Sequence, residues 1–291
     1  MSQITSEIPN QMCAPIFRKW MLLAFASFFM MSATGCPNAF LETANKTSDD
    51  ALLFSAEQHA NNSEWSAAIT DINSMTTGGK AKRETKQALA SYYGGRCGLN
   101  LLNLAQSLKD NSPSTKLWPI VMRYMVGATA AQLADCKLGE QTILAIDTVA
   151  TNRNANENVL LAFLEFVKMG AALASSNADA NHDGVIDGTF NACSTTDIVD
   201  ASVQELGTGL TITSRALSAS GFGASGVTDA VATLCATMET YQAGFCDTTD
   251  PTAFASGSAV MKALRALIKS NEIGFNSCGG SLGSSLACTC P

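Results

Sequence analysis

Apolar residues along most of the chain recur at the spacing of one face of an α-helix. From Ser48 onward they are separated by three or four positions, and no run alternates apolar and polar residues between hairpin turns. The pattern therefore predicts an all-α protein, either a helical bundle or an array of helix pairs. Helices are predicted at 49–60, 63–75, 83–109, 114–136, 140–150, 156–174, 195–218, 227–240 and 253–270.

Local signals place several of these helix ends. Ser48 and Ser63 are suited to cap the first two helices, and Pro119 is expected to start or kink the fourth. The clearest amphipathic pattern lies at Asn156–Ala174. Its predicted apolar face consists of Val159, Leu160, Phe163, Leu164 and Val167.

The first two predicted helices carry the packing pattern of a helical repeat. Ala56 is small where the helices would cross, Trp65 opens the second helix, and Ala68 and Ile72 follow at packing positions. This stretch resembles one tetratricopeptide unit, and ALASYYGGRCGLNLLNLA resembles the first helix of a following unit. The resemblance implies a helical-repeat lipoprotein of a bacterial envelope that serves as a scaffold, transport component or assembly platform. A non-repeating bundle is the alternative.

The N-terminal segment has the organisation of an export signal. Arg18 and Lys19 precede the apolar run Trp20–Ala33, which is too short for an ordinary membrane span. Residues 1–35 are therefore expected to be removed. The next motif, ATGC, resembles the bacterial lipobox with Ala in place of its usual Leu, which implies that Cys36 is diacylated. A plain secretory signal, with Cys36 in a disulfide, is the alternative.

The lipobox resemblance also carries an expected location. Several acyl chains hold a protein at a membrane almost permanently. Pro37 stands where inner-membrane lipoproteins of enteric bacteria have Asp, so the resemblance implies the outer membrane, on its periplasmic or surface face. Residues 36–48 form a polar tether to the folded part. The expected partners are the membrane, through the anchor, and a protein of the envelope.

Eight cysteines remain when Cys13 and Cys36 are set aside, and an even set in an oxidising compartment predicts up to four disulfides. Spacing alone does not give the pairing. Cys288 and Cys290 are too close in sequence to favour a bond with each other, so each should pair elsewhere, and Cys278 or Cys246 is a near candidate. Free buried thiols are the alternative. A zinc site is disfavoured because the chain has no CxxC motif and contains only two histidines. The eight are Cys97, Cys136, Cys193, Cys235, Cys246, Cys278, Cys288 and Cys290.

Charge narrows the range of partners. Residues 36–291 contain 16 Lys and Arg against 24 Asp and Glu, a net charge of −8. No basic stripe is present to displace counterions from phosphates, so nucleic acid is not an expected partner. A hydrophobic fraction of 46% can form a substantial core, as one large domain or two closely packed ones.

The stretch NADANHDGVID, residues 177–187, places Asp or Asn at every second position for three steps before a Gly. In a winding loop each second side chain turns inward, so hard oxygens converge on a hard cation. This order of Asp, Asn and Gly residues resembles that of an EF-hand loop, with Gly184 at the sharp turn and the Val185 carbonyl oxygen as a ligand. The resemblance implies calcium ligands at Asp179, Asn181, Asp183, Val185 and Asp187.

The loop departs from the EF-hand order at its twelfth position, where Phe190 replaces the bidentate Glu. Asp197 or Asp200, at the start of the next helix, is expected to complete the coordination. Because few carboxylates are available, we expect a structural Ca²⁺ ion with a dissociation constant on the order of 10⁻⁴ to 10⁻³ M. A solvated turn rich in Asp, Asn and Gly is the alternative.

No catalytic constellation is found in the sequence. GGSLG at 279–283 matches a nucleophile elbow but has no strand before it and no His after it. GFGASG at 221–226 matches a dinucleotide motif but follows a helix. His59 has no obvious acidic or nucleophilic partner in sequence. An enzyme is therefore not expected.

The predicted organisation has six parts: signal peptide 1–35, tether 36–48, tetratricopeptide-like region 49–176, calcium-binding-like loop 177–190, C-terminal helical region 191–272 and a Gly/Ser/Cys-rich tail 273–291. The expected function is that of a lipid-anchored protein-interaction scaffold with a structural calcium site. Its binding face is predicted on the concave side of residues 49–110, with Trp65, Tyr92 and Tyr93. The alternative is a solute-binding or transport-associated lipoprotein with an apolar pocket between helices near these three aromatic residues.

Overall fold

The structure is a computed structural model that describes residues 46–110, 116–221, 233–270, 273–275 and 290. The chain divides into two units, Met1–Lys46 and Thr47–Pro291, and every described residue except Lys46 belongs to the second. Several predictions fall outside the described residues: the signal peptide, the Cys36 anchor, the tether before Lys46, the GGSLG motif, the part of GFGASG after Gly221, and the pairing of Cys278 and Cys288.

The described residues form helices and turns without a β-strand, which confirms the all-α prediction. None of these helices has the length and apolar run that crossing a membrane requires. The helices are α1 Asp49–Asn61, α2 Trp65–Ser74, α3 Thr77–Ala81, α4 Arg83–Cys97, α5 Leu101–Asp110, α6 Leu117–Tyr124, α7 Ala130–Leu144, α8 Ala155–Ala174, α9 Asp200–Ser220, α10 at 233–238 and α11 Ala259–Lys269.

Side-chain caps explain why several helices begin where they do. The Ser48 hydroxyl accepts a hydrogen bond from the Ala51 N–H and starts α1 at the predicted position. A reciprocal pair of hydrogen bonds between Asn154 and Glu157 starts α8, close to the predicted Asn156. These caps satisfy backbone N–H groups that the first turn of a helix leaves without partners.

The prediction of one continuous helix over 83–109 is wrong, because Gly98 ends α4. Its φ of 111° is a left-handed conformation that glycine adopts without strain from a side chain. The Tyr124 hydroxyl donates to the carbonyl oxygens of Gly98 and Asn100 and accepts from the Asn100 N–H. A side chain from α6 therefore holds the break before α5 begins at Leu101.

The predicted boundary between helices at 114–136 and 140–150 is also wrong. The chain breaks earlier, and a reciprocal cap between Thr129 and Gln132 starts α7, which runs through Cys136 without interruption. Two later helices start after their predicted positions. Residues 195–199 precede α9, and Ser258 caps α11 after a 3₁₀ turn at Pro251–Ala253.

Helix α8 is the central element of the fold. Helices α6, α7 and α9 pack against it, and every residue from Leu164 to Ala174 is buried. The prediction of a single apolar face is therefore wrong: Val159, Leu160 and Phe163 are only half-buried, whereas the opposite side is buried further along the helix. A helix that is apolar on all sides is typical of a position inside the core.

The described cysteines form three disulfides, so the predicted disulfide bracing is confirmed. Cys97–Cys136 joins the end of α4 to the middle of α7. Cys193–Cys290 joins the loop before α9 to the C-terminal tail, and Cys235–Cys246 closes a short loop after α10. The expectation that Cys246 would serve the C-terminal cysteines is wrong, because it lies 5.5 Å from Cys235 between Cα atoms.

Candidate functional site

The acidic loop has its side chains turned inward onto its own backbone. The Asp179 carboxylate is fully buried and accepts hydrogen bonds from the Asp183 and Gly184 N–H groups, both at 2.9 Å. The Asn181 Oδ1 atom accepts from the Asp183 N–H at 3.0 Å. The Asp183 Oδ1 atom accepts from the Val185 N–H at 2.8 Å. The loop is therefore wound around the buried Asp179 carboxylate.

Hydrogen bonds within the loop and one close approach to α6 fix its conformation. The Asp187 carboxylate accepts from the Ala180 N–H at 2.7 Å, and the Asp187 N–H donates to the Ala178 carbonyl oxygen at 2.8 Å. Gly184 has a φ of 78°, and a Cβ atom there would lie 2.9 Å from Val126 in the turn that follows α6. Glycine is thus required both for the turn and for the close approach.

The two carboxylates expected to complete the coordination have other partners. The Asp197 Oδ2 atom accepts from the Asn191 N–H at 2.8 Å. The Asp200 Oδ1 atom accepts from the guanidinium of Arg265 on α11 at 2.5 Å, and this contact lowers the pKa of Asp200. Arg265 also donates to the carbonyl oxygens of Ala192 and Ile198. Both carboxylates therefore hold the segment between the loop and α9.

The donor chemistry of the loop fits a calcium ion. The oxygens of Asp179, Asn181 and Asp183 are the hard ligands that Ca²⁺ prefers. Among the described residues, no Lys, Arg or His nitrogen lies within 4.0 Å of the Asp179 carboxylate, although a buried charge is costly without a counter-charge. As the chain is described, no group of three His, Cys, Asp or Glu side chains is gathered for a metal. Each carboxylate nevertheless keeps acceptor capacity beyond its backbone hydrogen bonds.

Comparison with known proteins does not supply a function for this site. No protein-family model, curated protein or solved structure matches the chain. The function is therefore argued from the residues of this chain.

A buried cluster of charges, which the sequence analysis missed, lies between α7, α8 and α9. The Lys168 ammonium is fully buried, 2.7 Å from carboxylate oxygens of Glu140 and Glu165 and 3.3 Å from Glu205. The Lys137 ammonium, which is partly exposed, lies 2.7 Å from the other Glu205 oxygen. One helix thus contributes Lys168 and Glu165, and its two neighbours contribute the remaining acids and Lys137.

Burial sets the protonation of this cluster. Removal from water, followed by the nearby charge of Glu140, raises the pKa of Glu165 well above its ordinary value. Burial alone would lower the pKa of Lys168, but the surrounding carboxylates outweigh it and raise that pKa. The net effect of burial and the neighbouring carboxylates is therefore to favour the protonated form of both groups, Glu165 as a neutral acid and Lys168 as an ammonium.

A signal for this cluster was present in the sequence. Glu165 and Lys168 interrupt the apolar stretch LLAFLEFVKMGAALA, and they lie three positions apart on one side of a helix. Charged residues in the middle of an otherwise apolar helix are rarely buried without partners. Their spacing predicts an ion pair, but it does not predict which acids on α7 and α9 complete it.

The three aromatic residues predicted on a binding face lie in a smaller core between α1, α2 and α4. Tyr92 is buried, and the Trp65 ring covers Gly95 so closely that a Cβ atom there would lie 2.6 Å from it. The Arg96 guanidinium lies 5.3 Å from the centre of the Tyr93 ring. Their contacts stabilise the packing of the first helices.

The structure shows a surface cavity of about 350 Å³ in another part of the fold. Val149, Ala150 and Thr151 line one side, and residues of α9 line the other, namely Ser214, Arg215, Ser218 and Ala219. The Arg215 guanidinium donates to the Asp247 carbonyl oxygen at 2.9 Å. The cavity therefore does not coincide with the aromatic core around Trp65, Tyr92 and Tyr93, where a pocket was predicted for the solute-binding alternative.

Proposed function

We propose that this protein is a lipid-anchored component of a bacterial envelope that binds another protein through its first helices, with Ca²⁺ holding the loop at 177–190. The ATGC motif at Cys36 supports the anchor. The three disulfides support an oxidising compartment, where such bonds persist. The motif and the disulfides therefore bear on the location and the stability of the protein, and the binding of a partner is argued from its surface.

The exposure of large apolar side chains in the region 49–110 carries the scaffold function. Phe54 on α1 is 61% exposed, and Leu102 on α5 is 82% exposed with Leu101 beside it. The exposed side chains of Phe54, Leu101 and Leu102 cost free energy in water, and a partner protein that covers them would recover it. They replace Trp65, Tyr92 and Tyr93 as the residues proposed to contact a partner.

Site-specific photocrosslinking tests the scaffold function in intact cells that express the full chain. A photoreactive residue at position 54 or 102 should crosslink to one defined envelope protein, because its side chain would lie in the interface. A photoreactive residue at exposed Lys262 on α11 is the matched control and should give no such adduct. Cys36→Ser should remove both the membrane association and the adduct. Equal adducts at all three positions would contradict the proposal.

A second function, solute binding, has one observation in its favour. The cavity beside α9 combines apolar walls at Val149 and Ala150 with the Ser214 hydroxyl and the Arg215 guanidinium. Its volume of about 350 Å³ is at the lower end of the range for small-molecule sites. Failure of crosslinking at positions 54 and 102 would make this cavity the next site to test.

Calcium should raise the melting temperature of the purified, chelator-treated protein and bind at one site in calorimetry. The buried Asp179 carboxylate and the Asp183 carboxylate supply the charge that such a site requires. Asp183→Asn keeps the size and one acceptor oxygen but removes a charge, so it should weaken binding at least about tenfold, while Asp179→Ala should abolish it.

The matched control for calcium binding is Asp50→Ala, which removes an exposed carboxylate at the start of α1. It should leave both the binding constant and the calcium-dependent rise in melting temperature unchanged. Because Asp179→Ala also removes two hydrogen bonds from the loop, the rise caused by calcium is compared, not the melting temperature itself. Absence of binding at millimolar calcium would make the loop a solvated turn.

A further inference from the structure

His59 lies between two carboxylates at the junction of α1 and α2. Its Nδ1 atom is 2.5 Å from the Glu64 Oε2 atom, in the turn between the helices. Its Nε2 atom is 3.8 Å from the Asp71 Oδ2 atom on α2. The sequence offered no partner for this histidine, and the structure supplies one on each side of the ring.

The Glu64 contact determines which ring nitrogen carries the proton. An ionised carboxylate only accepts hydrogen bonds, so the Nδ1 atom of His59 must be the donor to Glu64. In the neutral ring the Nε2 atom then presents its lone pair toward Asp71. A lone pair and a carboxylate oxygen facing each other at 3.8 Å are both electron-rich. The arrangement therefore favours a cation between them.

The Asp71 carboxylate lacks a compensating hydrogen bond at this point. Its Oδ2 atom is buried, and no hydrogen-bond partner for it is found among the described residues. An unpaired buried acceptor costs free energy that a bound cation would recover. The Oδ2 atom is therefore an unsatisfied acceptor that faces the His59 ring.

We propose that a Zn²⁺ ion, or a divalent transition-metal ion of similar ligand preference, binds between His59 Nε2 and Asp71 Oδ2. Zinc bonds to imidazole nitrogen and carboxylate oxygen of about 2.0–2.2 Å place two tetrahedral ligands roughly 3.4 Å apart. The observed 3.8 Å requires a closure of a few tenths of an ångström. Water molecules complete the coordination, since His59 is partly exposed.

Glu64 acts as a positioning residue in this proposal. Histidine ligands to metals commonly donate their other ring N–H to a carboxylate, which fixes the ring and makes the ligating nitrogen more basic. Glu64 occupies that position with respect to Nδ1. The site differs from the acidic loop in its chemistry, because imidazole selects a transition metal whereas the loop offers only hard oxygens.

Zinc calorimetry with the purified, chelator-treated full-length protein in excess calcium tests the site. The chain has two histidines, so His182→Gln, in the exposed part of the acidic loop, is a matched control that should leave zinc affinity unchanged. His59→Gln should abolish binding, and Asp71→Asn should reduce it strongly. Glu64→Gln should weaken it about tenfold while keeping the stoichiometry.

Binding of Cu²⁺ provides a second readout, because the spectrum of the bound ion depends on the type of ligand atom. Cu²⁺ bound to the parent should show nitrogen hyperfine coupling in its electron paramagnetic resonance spectrum, and the coupling should vanish in His59→Gln and persist in His182→Gln. Unchanged far-ultraviolet circular dichroism of His59→Gln confirms that this exposed substitution leaves the fold intact. Zinc binding of equal strength in the parent and His59→Gln, or no zinc binding at all, would overturn the proposal and leave His59 as a side chain that only bridges α1 and α2.

Discussion

Lys168→Met should lower the free energy of unfolding by about 3–5 kcal/mol, as expected when one member of a buried ion network is removed. The ammonium group is fully buried, with three carboxyl groups within 3.3 Å. Without it, the Glu140 carboxylate loses its only described ion-pair partner while remaining almost fully buried. The methionine side chain fills similar space, so the loss reports the charge and not a cavity.

Urea unfolding at neutral pH measures this loss against two other variants. Lys262→Met removes an exposed lysine from α11 and should change the stability by less than about 0.5 kcal/mol. Glu165→Gln should cost far less than Lys168→Met, because burial favours the neutral form of that carboxyl, which glutamine resembles in size and charge. A large loss in Glu165→Gln, or a loss below about 1 kcal/mol in Lys168→Met, would contradict the role proposed for the Lys168 ammonium as the central charge of the cluster.

The parent and Glu165→Gln should also differ in how their free energy of unfolding depends on pH. Because the folded protein raises the pKa of Glu165, folding favours its protonated form, and this contribution is complete below the ordinary glutamate value of 4.5. It is lost as pH rises through the folded pKa, where the carboxyl must ionise inside the core. The stability of the parent should therefore fall as pH rises above 4.5, and Glu165→Gln should show a smaller slope over that range.

The parts of the fold that could be predicted depend on residues close together in the sequence. Ser48 and its N–H partner at Ala51 lie within one helical turn, so the start of α1 could be read directly. The break at Gly98 could not, because glycine is also tolerated inside helices. The hydroxyl of Tyr124, which holds that break, comes from a helix further along the chain.

The same distinction applies to the candidate sites. The order of Asp179, Asn181 and Asp183 is continuous in the sequence, and the structure winds these residues into one loop. Asp200 looked suited to complete that loop because nothing nearby marked Arg265 as its partner. Side chains that different helices bring together, such as His59 on α1 and Asp71 on α2, can be recognised only once the packing of the helices is known.

Removing the Cys193–Cys290 disulfide by a double Cys→Ala substitution should lower the free energy of unfolding by about 5 kcal/mol, the most of the three described bonds. The bond spans 97 residues, compared with 39 for Cys97–Cys136 and 11 for Cys235–Cys246. In the chain-entropy description these separations correspond to about 5, 4 and 3 kcal/mol, because a longer closed loop restricts the unfolded chain more.

The native contacts around Cys193 add to this expectation. Arg265 on α11 donates to the carbonyl oxygen of Ala192, directly before Cys193, and the disulfide ties the same segment to the C-terminal tail. The Cys235–Cys246 bond lies inside the larger loop and shortens it by only 11 residues, which leaves the order of the three effects unchanged. Urea unfolding of the three double variants measures that order directly. If loss of Cys235–Cys246 cost the most, local contacts and not loop closure would dominate the stability that the disulfides provide.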